Sequence, residues 1–171
     1  MWQSGALFGS STLEGNIEVP LEEHTGLPAE ARTLVARAKL GMVGLADAAG
    51  RLPAEISGGM AKRAGIARAM ALDPPILFLD EPSAGLDPVT SAGLDALIKQ
   101  LARDLGTTFV VVTHELQSIL AIGDRCIMLD KAARGMIAEG DPRRLRDESA
   151  DPVVRAFFRR EAPPDQQGAA A

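Results

Sequence analysis

The run Ile76-Leu77-Phe78-Leu79, followed at once by Asp80-Glu81, constrains the fold of this chain more than any other stretch. Four consecutive apolar residues after Pro74-Pro75, ending in a charged tip, form the pattern of a parallel strand buried on both faces. Open α/β sheets bind ligands beyond the carboxyl ends of such strands, so Asp80 and Glu81 stand where chemistry is expected. An adjacent carboxylate pair suits a magnesium–nucleotide site, one group holding the hydrated metal and the other orienting or deprotonating a water. Taken alone, the pair is explained equally well as a strand end followed by a helix cap.

The neighbouring segments extend the pattern. Residues 1–28 read as loop with brief turns of helix, because Gly, Ser and Pro interrupt every apolar cluster. Leu34, Val35, Ala38, Met42 and Leu45 predict an amphipathic helix over 29–45. Ile56-Ser57-Gly58-Gly59-Met60 precedes a helix over Ala61–Leu72, which Asp73-Pro74-Pro75 ends. Asp87-Pro88 is an N-cap followed by proline at the first helical position. The helix behind it carries Leu94, Leu97, Ile98, Leu101 and Leu105 on one stripe and closes at Gly106. Thr108–Thr113 is a second strand expected to be buried, ending in His114-Glu115. A helix over Leu116–Ile122, strands over Arg125–Leu129 and Gly135–Glu139 with a Lys131–Arg134 turn between them, and a helix holding Val153, Val154, Phe157 and Phe158 complete the reading. Residues 162–171, rich in Pro, Gln, Gly and Ala, are expected to be disordered.

The 171 residues include 46% hydrophobic and 24% charged residues with a net charge of -5. That acidic balance gives no sign of a nucleic-acid partner. No stretch approaches the roughly 18 apolar residues of a membrane span, and Met1-Trp2-Gln3-Ser4-Gly5 does not have the features of a signal peptide. The single cysteine, Cys126, lies in an apolar run and reads as a small buried hydrophobe; it permits no internal disulfide.

Ser57-Gly58-Gly59 before a helix, Asp80-Glu81 at a strand end, Ser83-Ala84-Gly85-Leu86-Asp87 in the following turn and His114 after the next strand occur in a fixed order. Together they resemble the second half of an ATP-binding cassette (ABC) ATPase, from Gln3 to about Phe158. The resemblance implies an α/β fold: a partial ABC-type (RecA-like) nucleotide-binding domain made of a helical subdomain plus the C-terminal half of the parallel-sheet core. It divides the chain into a Q-loop and helical subdomain (1–75), the core half (76–148), and a C-terminal helix and tail (149–171). It implies ATP and Mg2+ as ligands. Ser57, Gly58, Gly59 and Met60 match the signature motif, which contacts the γ-phosphate bound by the opposite subunit. A serine-capped, glycine-rich helix N-terminus is suited to that anion. Asp80 matches the magnesium carboxylate, Glu81 the general base, Asp87 the D-loop aspartate and His114 the γ-phosphate-sensing histidine. Gln3 matches the Q-loop glutamine, which reaches the metal and the attacking water. The form Ile-Ser-Gly-Gly-Met-Ala-Lys-Arg-Ala, with Gln3–Phe8, Val19–Thr25 and Asp151–Arg155, is similar to the phospholipid-trafficking (Mla and toluene-tolerance) subgroup. His24 then reads as a surface or partner-contact residue. That subgroup implies a second ATPase subunit and integral-membrane permease subunits as partners, no nucleic acid, and a peripheral place on the cytoplasmic face of the bacterial inner membrane.

The phosphate-cradling loop G-x-x-x-x-G-K-[ST] does not occur in the sequence. None of Lys39, Lys62, Lys99 and Lys131 follows a glycine or precedes a serine or threonine. Met1 is therefore expected to be an internal methionine of a longer protein, and the chain alone is expected to be inactive and marginally stable. A non-catalytic regulatory or interaction fragment of such a transporter is the alternative, against which the presence of both Glu81 and His114 argues. A soluble ABC ATPase of DNA repair or translation is a third reading, but two cassettes in one chain or a coiled-coil insertion would accompany it.

Overall fold

The computed structural model describes residues 7–161. The chain separates into two compact units, the first ending at Thr113 and the second beginning at His114.

In the first unit, helices α1 (Leu13–His24), α2 (Ala29–Met42) and α3 (Gly58–Ala69) pack on one another, with short 3-10 turns at Ala46–Ala48 and Pro53–Glu55. Helix α1 corrects the loop expected over 1–28. Its N-cap Thr12 accepts from the Gly15 amide, and Pro20 sits inside the helix. Interior proline costs about 3 kcal/mol. Burying Leu13, Ile17 and Leu21 almost completely outweighs that, at roughly 1.5–3 kcal/mol per side chain. Asn16, fully buried one turn into the helix, accepts the Phe8 amide at 2.7 Å through Oδ1. Its Nδ2 reaches the carbonyls of Phe8, Ser11 and Thr12 at 3.1, 3.1 and 2.9 Å, fastening residues 8–12 onto α1.

Helix α2 forms where expected, and Leu45 beyond its end is buried as expected with Val35 and Met42 half-buried, but the inward face is rotated from the expected stripe. Ala36, Leu40 and Val43 are buried, whereas Leu34 is 70% exposed and Ala38 is exposed. The cause is Lys39. Its aliphatic stem lies in the buried face while its ammonium pairs with Asp73.

Strand β1 (Ile76–Asp80), helix α4 (Pro88–Leu105) and strand β2 (Thr108–Val112) form a βαβ unit. The two strands are parallel, with Ile76 opposite Thr108 and Asp80 opposite Val112. Asp87 caps α4 by accepting from Val89 and Thr90, and Gly106 closes it at φ 66°, a left-handed conformation suited to glycine. Leu94, Ile98 and Leu101 are buried as the stripe predicts, while Leu105 is exposed. Burial of the strands departs from expectation. Leu77 and Leu79 are buried, but Ile76, Phe78, Val110 and Val112 are exposed. Period-two alternation places the exposed four on one face of the ribbon.

In the second unit, α5 (Leu116–Ile122) precedes an antiparallel hairpin of β3 (Cys126–Asp130) and β4 (Gly135–Gly140), with an irregularity in register at Met128/Leu129. Cys126 is half-buried, and burial raises its thiol pKa. Helix α6 (Pro142–Glu148), which sequence reasoning did not identify, is capped by Asp141 and packs on α7 (Pro152–Arg159), capped by Asp151. Val154, Ala156 and Phe158 are the buried side of α7. The tail expected to be disordered, 162–171, lies outside the described residues.

Candidate functional site

The residues singled out in the first unit lie on two helix N-termini and one strand end. Ser57 caps α3 in extended conformation, its hydroxyl accepting the Met60 amide at 3.3 Å. Ser57 and Gly58 are exposed, and Gly59 is buried. The first amides of a helix have no acceptor within it, so this end presents donors and a positive dipole end to an anion. Gly59 is also held by packing: a Cβ at this position would lie 2.6 Å from Cγ2 of Thr90 on α4. A Cβ on Gly58 would meet Leu86 Cδ2 at an ordinary 3.7 Å. The serine-glycine segment thus rests against the turn that carries Asp87.

Asp87 is exposed and accepts from the amides of Val89 and Thr90, both at 3.0 Å, and from the Thr90 hydroxyl. Those hydrogen bonds, the Thr90 hydroxyl foremost, hold its carboxyl below the ordinary value. One threonine therefore secures Asp87 by its hydroxyl and abuts Gly59 with its methyl.

Asp80 ends β1 and is exposed. The chain then turns sharply, and Glu81 has φ 44°, a left-handed conformation costing a non-glycine residue about 1–2 kcal/mol. Hydrogen bonds at its amide, carbonyl and carboxylate hold it there. Its amide donates to the Val112 carbonyl at 2.8 Å. Its carbonyl accepts from Lys62 Nζ at 3.3 Å, and its Oε2 accepts from Thr113 Oγ1 at 3.3 Å. Neither Lys62 nor Thr113 was singled out from sequence. A signal was available for Lys62, because it falls on the helical stripe Gly59, Lys62, Ile66, Met70, all buried. Two residues further on, the Ser83 hydroxyl is buried without a hydrogen-bond partner among the described residues.

Ser57, Gly58, Gly59, Met60, Asp80, Glu81 and Asp87 all lie in the first unit, where Gly58 and Gly59 adjoin the Asp87 turn and Lys62 of α3 reaches Glu81. His114 opens the second unit and is exposed. Gln3 lies outside the described residues. His24 is exposed beside Glu23. The adjacent carboxylates Asp80 and Glu81 fit the chemistry of a magnesium site, in which one or two carboxylates act with waters and substrate phosphates. No group of three or more His, Cys, Asp or Glu with metal-binding geometry exists among the described residues.

The ABC transporter family matches residues 2–84. The intermembrane phospholipid transport system ATP-binding protein MlaF of Escherichia coli K12 is 43% identical over 158 residues, covering 92% of this chain and 58% of that protein. This chain belongs to the ABC transporter family. MlaF of Haemophilus influenzae is 40% identical over 95% of this chain and 60% of its own length. The probable ribonucleotide transport ATP-binding protein mkl of Mycobacterium tuberculosis is 43% identical over 92% of this chain and 43% of its own. Among solved structures, the ABC protein MJ0796, a dimer in a post-hydrolysis state bound to ADP and Pi, is 33% identical. It matches with a TM-score of 0.70 over 82% of this chain and 60% of its own. The chain therefore spans about three fifths of the MlaF proteins it matches. Among the described residues, no helix is long and apolar enough to cross a membrane.

Proposed function

We propose that this ABC chain is part of the ATP-binding and ATP-hydrolysing subunit of a transporter for phospholipid or a related hydrophobic substrate. One observation carries the reading: α3 touches the Asp87 turn with its N-terminus and, through Lys62, the Glu81 carbonyl. A single rigid helix thereby joins an anion-binding end to a carboxylate pair. In this reading Asp80 holds Mg2+, which neutralises phosphate charge when bound. Glu81 orients the attacking water and accepts its proton. Ser57, Gly58, Gly59 and Met60 offer backbone donors to the γ-phosphate held by a second ATPase subunit, and Asp87 faces that subunit. His114 senses the γ-phosphate, and Gln3 reaches the metal and water. The other partners are permease subunits, with the protein peripheral on the cytoplasmic face of the inner membrane. The domain division at 75/76 and 148/149 belongs to the same proposal.

ATP turnover is the test. Assembled with its permease, the whole subunit of which these residues are proposed to be part should hydrolyse ATP only with Mg2+, and Glu81→Gln should abolish turnover while nucleotide is still retained. Hydrolysis undiminished in Glu81→Gln refutes the assignment. Transfer of labelled phospholipid between vesicles separates this reading from ribonucleotide transport, which the name of mkl favours. The 171 residues alone should show no micromolar ATP affinity by calorimetry, because none of the four lysines stands in a phosphate loop. Translating the DNA upstream of Met1 in frame tests the same point: a G-x-x-x-x-G-K-[ST] segment there makes these residues the back part of an ordinary ATPase.

A further inference from the structure

Lys62 is only 6% exposed, on a helix whose other buried residues are glycine, alanine and isoleucine. A lysine buried for packing alone is better replaced by an apolar side chain of similar length, because the ammonium must be desolvated. This one brings its charge to the turn that follows β1. Nζ donates to the main-chain carbonyl of Glu81 at 3.3 Å, where φ is 44°. We propose that Lys62 is a positioning residue for Glu81, holding the left-handed turn so that the carboxylate stays beside the Thr113 hydroxyl. The proposal deepens the ATPase reading and rests on it.

The electrostatics agree with the geometry. Burial lowers the Lys62 pKa, and the negative charges of Glu81 and then Asp80 act in the opposite direction. The ammonium is therefore drawn toward the carboxylate pair while water is kept from it. The Glu81 amide and carboxylate are held from the end of β2, by Val112 and by Thr113 just beyond it, and its carbonyl is held from α3. The α3 contact connects Glu81 to the Ser57-Gly58-Gly59 end. Since α3 is continuous from Gly58 to Ala69, a displacement at its N-terminus reaches the Glu81 carbonyl through Lys62. Lys62 thus ties the position of the proposed base to the helix that meets the phosphate of the opposite subunit.

The test replaces the ammonium and keeps the stem. A hydrogen bond from a charged donor is worth roughly tenfold to a hundredfold in an equilibrium. In the full chain, Lys62→Met should speed hydrogen exchange at the Glu81 amide by about tenfold or more and leave the Leu79 and Val111 amides at wild-type rates. Unchanged exchange at Glu81 overturns the proposal. So does an equal acceleration at all three amides, which marks a merely structural role. Should Lys62→Met fail to fold, Lys62→Gln is judged by the same three amides. In the assembled transporter, Lys62→Met should lower kcat about tenfold with KM for ATP within twofold of wild type, because Lys62 touches Glu81 and not the nucleotide. A raised KM with unchanged kcat also overturns it. If the wild-type assembly hydrolyses no ATP, the ATPase reading fails, while the exchange rates still decide whether Lys62 holds Glu81.

Discussion

Gly58 and Gly59 are adjacent in sequence, yet the structure assigns them opposite responses to the same substitution. Both stand in the first turn of α3, where replacing glycine by alanine gains about 0.5–1 kcal/mol through reduced unfolded-state entropy and better helix propensity. At Gly58 the new methyl meets Leu86 Cδ2 at 3.7 Å, an ordinary contact, so the gain should survive. At Gly59 it would lie 2.6 Å from Thr90 Cγ2. Thr90 cannot turn aside cheaply, because it is β-branched and its hydroxyl is engaged by Asp87. Overpacking of this kind costs roughly 1–3 kcal/mol. Gly58→Ala should therefore be more stable than Gly59→Ala by about that amount, a gap of several degrees in Tm for a chain of this size. Unfolding of the full chain followed by circular dichroism measures it. Thr90→Ser removes the offending methyl and keeps the hydroxyl, so Gly59→Ala with Thr90→Ser should recover the loss in a double-mutant cycle. Equal stability of the two alanine variants, or additivity in the cycle, refutes the reasoning.

Three further outcomes are expected. Asp87 has its carboxyl pKa lowered on folding from 3.8, so its stabilising contribution is full above that value and is lost as pH falls through the folded pKa. Asp87→Asn should flatten the acid limb of the stability curve in that window, and an unchanged limb counts against the cap. Asp73→Ala should destabilise by about 2–4 kcal/mol in urea, since it strips the partner from buried Lys39 and places alanine at φ 48°. Lys39→Met should cost far less, and a reversed order would show that the ion pair is not what holds α2 against the end of α3. Phe78→Thr, at a position 64% exposed beside Val110, should reduce self-association in light scattering while shifting stability by only about 0.5 kcal/mol. A large stability loss would mean that this strand face is covered in solution.

Elements whose ends are written in local chemistry were legible in the sequence. Asp87-Pro88 and Gly106 bracket α4 because a capping carboxylate, an N1 proline and a left-handed glycine act within a few residues. The hairpin of β3 and β4 and helix α5 were legible for similar reasons. Helix α1 was not, because Pro20 signals a break and only tertiary burial of Leu13, Ile17 and Leu21 overrides it. Helix α2 shows the other failure. Apolar spacing chose the face of Leu34 and Ala38, whereas the structure buries the face bearing Lys39, whose charge hides a long aliphatic stem and finds Asp73 from a distant segment.

The same distinction separates what was legible in the candidate site from what was not. Ser57, the glycines, Asp80, Glu81 and Asp87 announce themselves because each sits at a turn or cap where residue type is dictated locally. Lys62 and Thr113 act across the fold, and their meaning appears only when α3 and the end of β2 converge on Glu81. The unbroken apolar run of β1 illustrates the limit from the other side. Such a run states what a strand can bury, and parallel sheets ordinarily have both faces covered. Here Leu77 and Leu79 are covered while Ile76 and Phe78 are exposed. Asp80, exposed on that same face by its alternation with Ile76 and Phe78, therefore belongs to the side of the ribbon that this unit leaves open, whereas Glu81 is held from within by Lys62, Val112 and Thr113. Of the two neighbouring carboxylates, one is free to meet a ligand and the other is fixed in place, as their proposed division between holding a metal and orienting a water requires.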